Sequence, residues 1–195
     1  MKNVWPCFLW IGLLFAACNN TTQTTEDHAA HQHQENASVE TPAAKPKSPR
    51  MQAMANIGDT HVHIDYSAPS VRGRNIWNGL VAYDQVWVTG AHKATSIDFS
   101  TDVTINGQPV PKGKYGFFTI PGEKEWTLIL NKNHEQHLAD DYDPAMDVVR
   151  MKVQSQSLSD NVEMLQYEVI PGAGKTGTIA VSWEKIKVEL PITGS

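Results

Sequence analysis

Apolar and polar positions alternate with a period of two along most of the chain from Ile57 onward, the pattern of half-buried strands that press one face inward. Val62, Ile64 and Tyr66 share one face, with His61, His63 and Asp65 on the other. The alternation recurs at Ile97 and Phe99, at Val103 and Ile105, across Tyr115 to Ile120, at Trp126, Leu128 and Leu130, and at Val149, Met151 and Val153. It continues through Leu165, Tyr167 and Val169, then Ile179, Val181 and Trp183, and ends on Ile186, Val188 and Leu190. Asn106-Gly107 is a strong hairpin signal, because both residues tolerate positive φ, and Pro121-Gly122 marks a further turn. About eight strands at short spacing predict an all-β fold, a single antiparallel β-sandwich or barrel-like domain. Helix is scarce: His134 to Asp141, before Pro144, predicts one short helical segment. The stretch from Val71 to Lys93 is the least regular, and a long ordered loop is more often functional than a short one.

A different pattern opens the chain. The apolar run from Phe8 to Ala17 ends on Cys18, follows Lys2, and is too short for a membrane-spanning helix of about 20 residues. It reads as a lipoprotein signal over residues 1–17, with small Ala16 and Ala17 giving a peptidase access and Cys18 taking the lipid. That predicts a lipid-anchored protein of the cell envelope, periplasmic or at the outer membrane, whose membrane partner is reached through Cys18.

Residues 19–48 contain no aromatic residue and no Leu, Ile or Met, so this stretch cannot bury enough surface to offset its ordering entropy. Residues 18–48 therefore read as a lipidated tether with a reach of about 30 Å, and residues 49–195 as the folded domain. With Cys7 in the signal and Cys18 lipidated, the domain has no disulfide and depends on core packing. The formal charge is −5, or −6 once Lys2 is removed, with the acidic residues spread along the chain, which disfavours a nucleic-acid partner.

The run YSAPSVRGRNIWNGLVAYDQVWVTGAHKATSIDF from Tyr66 to Phe99, followed by GKYGFFTIPG and EWTLILNKN, resembles a bacterial family known as domain of unknown function 2911. The resemblance extends from Pro49 to Ile192. It implies an exported protein of Bacteroidetes-like bacteria and brings no catalytic residues with it. The commoner family pattern Trp-Arg-Thr-Gly-Ala-Asn-Glu stands here as Trp87-Val88-Thr89-Gly90-Ala91-His92-Lys93, and His137 stands where tryptophan is common.

Those departures raise the question of a metal. His61 and His63 lie two apart on a strand and so share a face, while His92 and His137 come from other segments. His63, His92 and His137, with His61 as a fourth ligand, are candidates for a Cu or Zn site, since such sites draw imidazoles from several elements. His28, His31 and His33 in the tether suit weak capture of the same metals. A second class of function is a carbohydrate or envelope-polymer binding module that uses Arg74, Trp77 and Trp87 for a guanidinium fork and stacked rings. A structural envelope protein is the third. Catalysis is disfavoured: Ser96 has no nucleophile elbow to aim it at His92 and Asp98, and Asp140, Asp141 and Asp143 lack calcium-loop spacing.

Overall fold

The computed structural model describes residues 47–195. The apolar run, Cys18 and the tether histidines lie outside the described residues. Among the described residues there are ten strands: β1 (Arg50–Ile57), β2 (Thr60–Ser67), β3 (Thr95–Phe99), β4 (Val103–Ile105), β5 (Gln108–Val110), β6 (Gly113–Ile120), β7 (Glu125–Asn131), β8 (Asp147–Gln154), β9 (Gln156–Pro171) and β10 (Thr176–Thr193). They form two antiparallel sheets, one in the order β1-β2-β3-β6-β7-β8 and the other in the order β5-β4-β10-β9. The fold is an open sandwich, so of the two architectures expected the barrel is set aside.

Alternation decides which side chains fill the space between the sheets. Val62 and Ile64 on β2, Ile97 and Phe99 on β3, Phe117 on β6 and Leu128 and Leu130 on β7 all point inward and are almost fully buried. The register pairs Ile64 with Ile97, Ile97 with Tyr115 and Phe117 with Leu130, so each inward row is continuous across the strands. The second sheet answers with Leu165, Val169, Ile179, Val181 and Trp183.

The terminal strand departs from the expected count. The two runs that end the sequence form a single strand, β10, whose inward parity changes from odd (Ile179, Val181, Trp183) to even (Val188, Leu190, Ile192). A bulge makes the change: the register with β9 shifts on either side of Glu184, which sits at φ 54°. β1 went unread because, before Ile57 at its end, its inward positions are Ala53, Ala55 and an exposed Met51. β5 is three residues long and carries Pro109, closing the Asn106-Gly107 hairpin, where both turn residues have positive φ.

The short helical segment also differs in detail. Leu138 to Asp141 form turns and Pro144–Met146 a 3-10 helix, whose first turn Asp143 caps by accepting from the Ala145 N–H. His137 lies in an isolated β-bridge with Lys93, not in a helix.

Candidate functional site

The outward face of the six-stranded sheet is split in two. Over β6 and β7 it is covered by the segments 83–94 and 131–146, and a small second core of Val88, Ala94, Phe118 and Ile129 lies beneath them. Over β1, β2 and β3 the same face is bare and carries Gln52, Met54, His61, His63, Asp65 and Asp98. At the boundary lies a groove of about 540 Å³, within the range of ligand sites.

Two strand positions form its floor. Ser96 on β3, 5 % exposed, and Lys114 on β6 both point outward, and Ser96 pairs with Gly116 in register. Gly116 has to be a glycine, because a Cβ there would come within 2.8 Å of the Asn133 carbonyl oxygen, so the loop rests directly on the sheet. The wall is a short antiparallel pairing of 92–94 with 136–138, in which the Ala94 N–H donates to the Gln136 carbonyl at 3.0 Å and the Leu138 N–H to the His92 carbonyl at 2.6 Å. Asn131, fully buried, fixes the far end of that loop by donating to the Asp143 carbonyl and the Asp147 carboxylate, both at 2.8 Å.

The groove is basic. Arg50, Lys93 and Lys114 line it against one carboxylate, Glu135, so three cations minus one anion leave +2 in a chain of formal charge −5. His134 and His137 add two imidazoles. Gln136, 6 % exposed, donates from Nε2 to the Asn133 carbonyl at 2.9 Å, and its buried Oε1 has no hydrogen-bond partner. Asp65 on the bare side approaches Lys114 at 3.8 Å and takes a hydrogen bond from Gln52.

The irregular segment is tied down from inside. Thr89, at φ 50° and fully buried, presents its carbonyl to the Tyr167 hydroxyl at 2.7 Å and to Thr95 Oγ1 at 3.1 Å. Burial pushes the Tyr167 phenol well above its usual range, so it stays a neutral donor. The Trp87 indole donates to the Gly90 carbonyl at 3.1 Å, and the Trp87 backbone exchanges hydrogen bonds with Thr119. Thr89-Gly90-Ala91 thus works as a clamp that holds the loop on the core.

The chain is matched over residues 48–192 by the model of a family described as a protein of unknown function, DUF2911. It belongs to the DUF2911 family. No curated protein and no solved structure matches it. The Trp-x-Thr-Gly-Ala motif of this DUF2911 chain is the clamp just described, so its conspicuous residues are accounted for by packing.

Of the four candidate histidines, His61 and His63 are brought together, whereas His137 stands opposite Lys93 and lines the groove, and His92 lies opposite Leu138 and does not line it. His61 and His63 face outward on β2, ring centroids 6.4 Å apart, with His61 Nδ1 2.9 Å from the Asn56 side-chain oxygen. His63 Nε2 is buried without a hydrogen-bond partner, 3.8 Å from Asp65. His92 and His137 stand on the paired segments of the groove wall, His137 Nδ1 lying 3.2 Å from Asp140. Among the described residues no group of three or more His, Cys, Asp or Glu is placed to hold one metal ion.

The aromatic candidates are half-buried against the core. Trp77 and Trp87 pack against Trp126 and Trp183, Trp87 stacking on Trp183 with centroids 5.7 Å apart and Trp77 meeting Trp126 edge-on at 4.9 Å. Arg74 donates to the Ser70 carbonyl at 2.5 Å and to that of Val71 at 3.1 Å, which makes it a loop brace. Among the described residues no hydrogen bond links Ser96 to His92 or Asp98. Sequence reasoning missed Arg50, Lys93, Lys114 and Gln136. Alternation places Lys114 outward, but only the β3–β6 register puts it opposite Asp98 and diagonal to Ser96.

Proposed function

We propose that this chain is a non-catalytic binding protein of the cell envelope, held to the membrane by lipid on Cys18 and taking its ligand in the groove over Ser96. The observation that carries the binding half is the groove itself: concave, basic, and walled by loops clamped to the core. The anchor rests on the apolar run ending at Cys18 after Lys2.

A Cu or Zn site on His63, His92, His137 and His61 finds less support, because no three of these imidazoles stand together, and such sites use three or four protein ligands. Saccharide recognition by Arg74, Trp77 and Trp87 meets a similar obstacle, since those rings are occupied by one another and the guanidinium by carbonyls. The groove offers a polymer or saccharide a different seat.

Expression of the full chain in a Gram-negative host supplied with an alkyne palmitate analogue tests the anchor. The native chain takes label and fractionates with membranes, and Cys18→Ala takes none; label on Cys18→Ala overturns the anchor. Calorimetric titration of the lipidated chain in detergent with envelope saccharides tests the rest. At least one is retained, and Lys114→Trp, which fills the groove from an exposed position, abolishes retention. Retention of none, or retention unaffected by Lys114→Trp, overturns the binding reading.

A further inference from the structure

The groove pairs two chemistries that seldom coincide by chance on an acidic protein. Its rim is cationic, with Arg50 entering from the first residue of β1, Lys93 from the clamped loop and Lys114 from the middle of the sheet. Three cations from three separate elements surround one space, an arrangement suited to an anionic group such as carboxylate or phosphate. Beneath them are uncharged groups: the Ser96 hydroxyl, and Gln136 Oε1, an acceptor buried with no donor. An orphaned buried acceptor is unfavourable, and a ligand hydroxyl donated to it removes that penalty. An inorganic anion alone would satisfy the rim and leave this acceptor empty. A ligand with both an anionic group and hydroxyls satisfies both.

From this we infer that the groove binds an acidic saccharide unit, with Arg50, Lys93 and Lys114 holding its carboxylate or phosphate and Ser96 and Gln136 meeting its hydroxyls. The inference rests on the binding reading above and narrows its ligand class. Glu135 is the one carboxylate in the lining and works against the anion. Its removal therefore strengthens binding, an effect that damage to the fold does not imitate.

The test is calorimetric titration of the full chain with trigalacturonate, with the same trimer as its neutral methyl ester, and with inorganic phosphate. The acid binds at least about tenfold more tightly than the ester, a difference of about 1.4 kcal/mol, and loses affinity as salt rises. Lys93→Glu and Lys114→Glu each weaken the acid about tenfold, Ser96→Ala weakens it by a smaller factor, and Glu135→Gln tightens it. Phosphate binds more weakly than the trimer, and phosphate binding alone reduces the site to a simple anion site and overturns the saccharide assignment. Equal binding of acid and ester overturns the anionic assignment and leaves the binding reading standing. Binding of neither acid nor phosphate, with retention of a neutral envelope saccharide, has the same meaning; retention of no saccharide at all overturns both. Unchanged melting of Lys93→Glu and Lys114→Glu, both exposed positions, excludes misfolding as the cause.

Discussion

The two halves of the outward face of the six-stranded sheet belong to different strands of that one sheet and have opposite fates. Over β6 and β7, outward Phe118 and Ile129 are as dry as the main core, because the loops 83–94 and 131–146 lie on them. Over β1 to β3, outward His61, His63 and Asp98 meet solvent. The difference teaches that loops, not strands, decide which part of this sheet face is covered, and that the groove is the step where coverage ends.

Breaking the covered half gives the largest effect. Phe118→Ala empties a fully buried site and costs about 3–5 kcal/mol in urea unfolding. A loss below about 1 kcal/mol would mean that the loops do not close over this ring. Gly116→Ala strikes the boundary: its Cβ meets Phe118 and the Asn133 carbonyl within 3 Å, which costs about 1–3 kcal/mol and spoils the groove wall. Wild-type stability in Gly116→Ala would contradict direct contact between loop and sheet.

The hinge of the covering loop has a smaller effect. The Tyr142 hydroxyl lies 2.8 Å from the Asp147 carboxylate and accepts from Arg150 at 3.0 Å, so Tyr142→Phe costs about 1 kcal/mol. Burial first, and then the bond to Asp147, raises the Tyr142 phenol above its ordinary value of 10.0. Because the folded value is the higher one, this contribution is complete below pH 10 and fades as pH rises through the folded value. Hydrogen exchange in segment 131–146 therefore speeds up at alkaline pH before exchange in β2 does, and Tyr142→Phe removes the difference. Least of all, Asp98→Ala on the bare half changes stability by less than about 0.5 kcal/mol; a loss near 2 kcal/mol would mean that something covers that half.

The sandwich was legible in the sequence because alternation is a local signal: the rows Val62-Ile64-Tyr66 and Trp126-Leu128-Leu130 are buried as their spacing requires. The strand at Arg50–Ile57 was not, since alanines facing the core leave little contrast. The bulge at Glu184 was illegible for another reason. A change of parity looks the same in sequence whether a strand bends or ends. Much of the candidate site was hidden because it depends on long-range register. Ser96 and Lys114 come onto one face, diagonal to each other, through β3–β6 pairing, and Lys93 meets His137 through a bridge between loops forty-four residues apart. Trp77 and Trp87 read as rings for stacking a saccharide because they fall in the irregular stretch where alternation is silent, but the loop folds back and packs them against the core.

The central claim, that the ligand seat is the groove at the edge of loop coverage, is tested most directly by backbone and indole NMR of the labelled chain during titration with trigalacturonate. The account predicts shifts concentrated at Lys93, Ser96, Lys114 and Gln136, with the indole signals of Trp77 and Trp87 unmoved. Shifts concentrated at those indoles, or at His61 and His63 on the bare half, would contradict it.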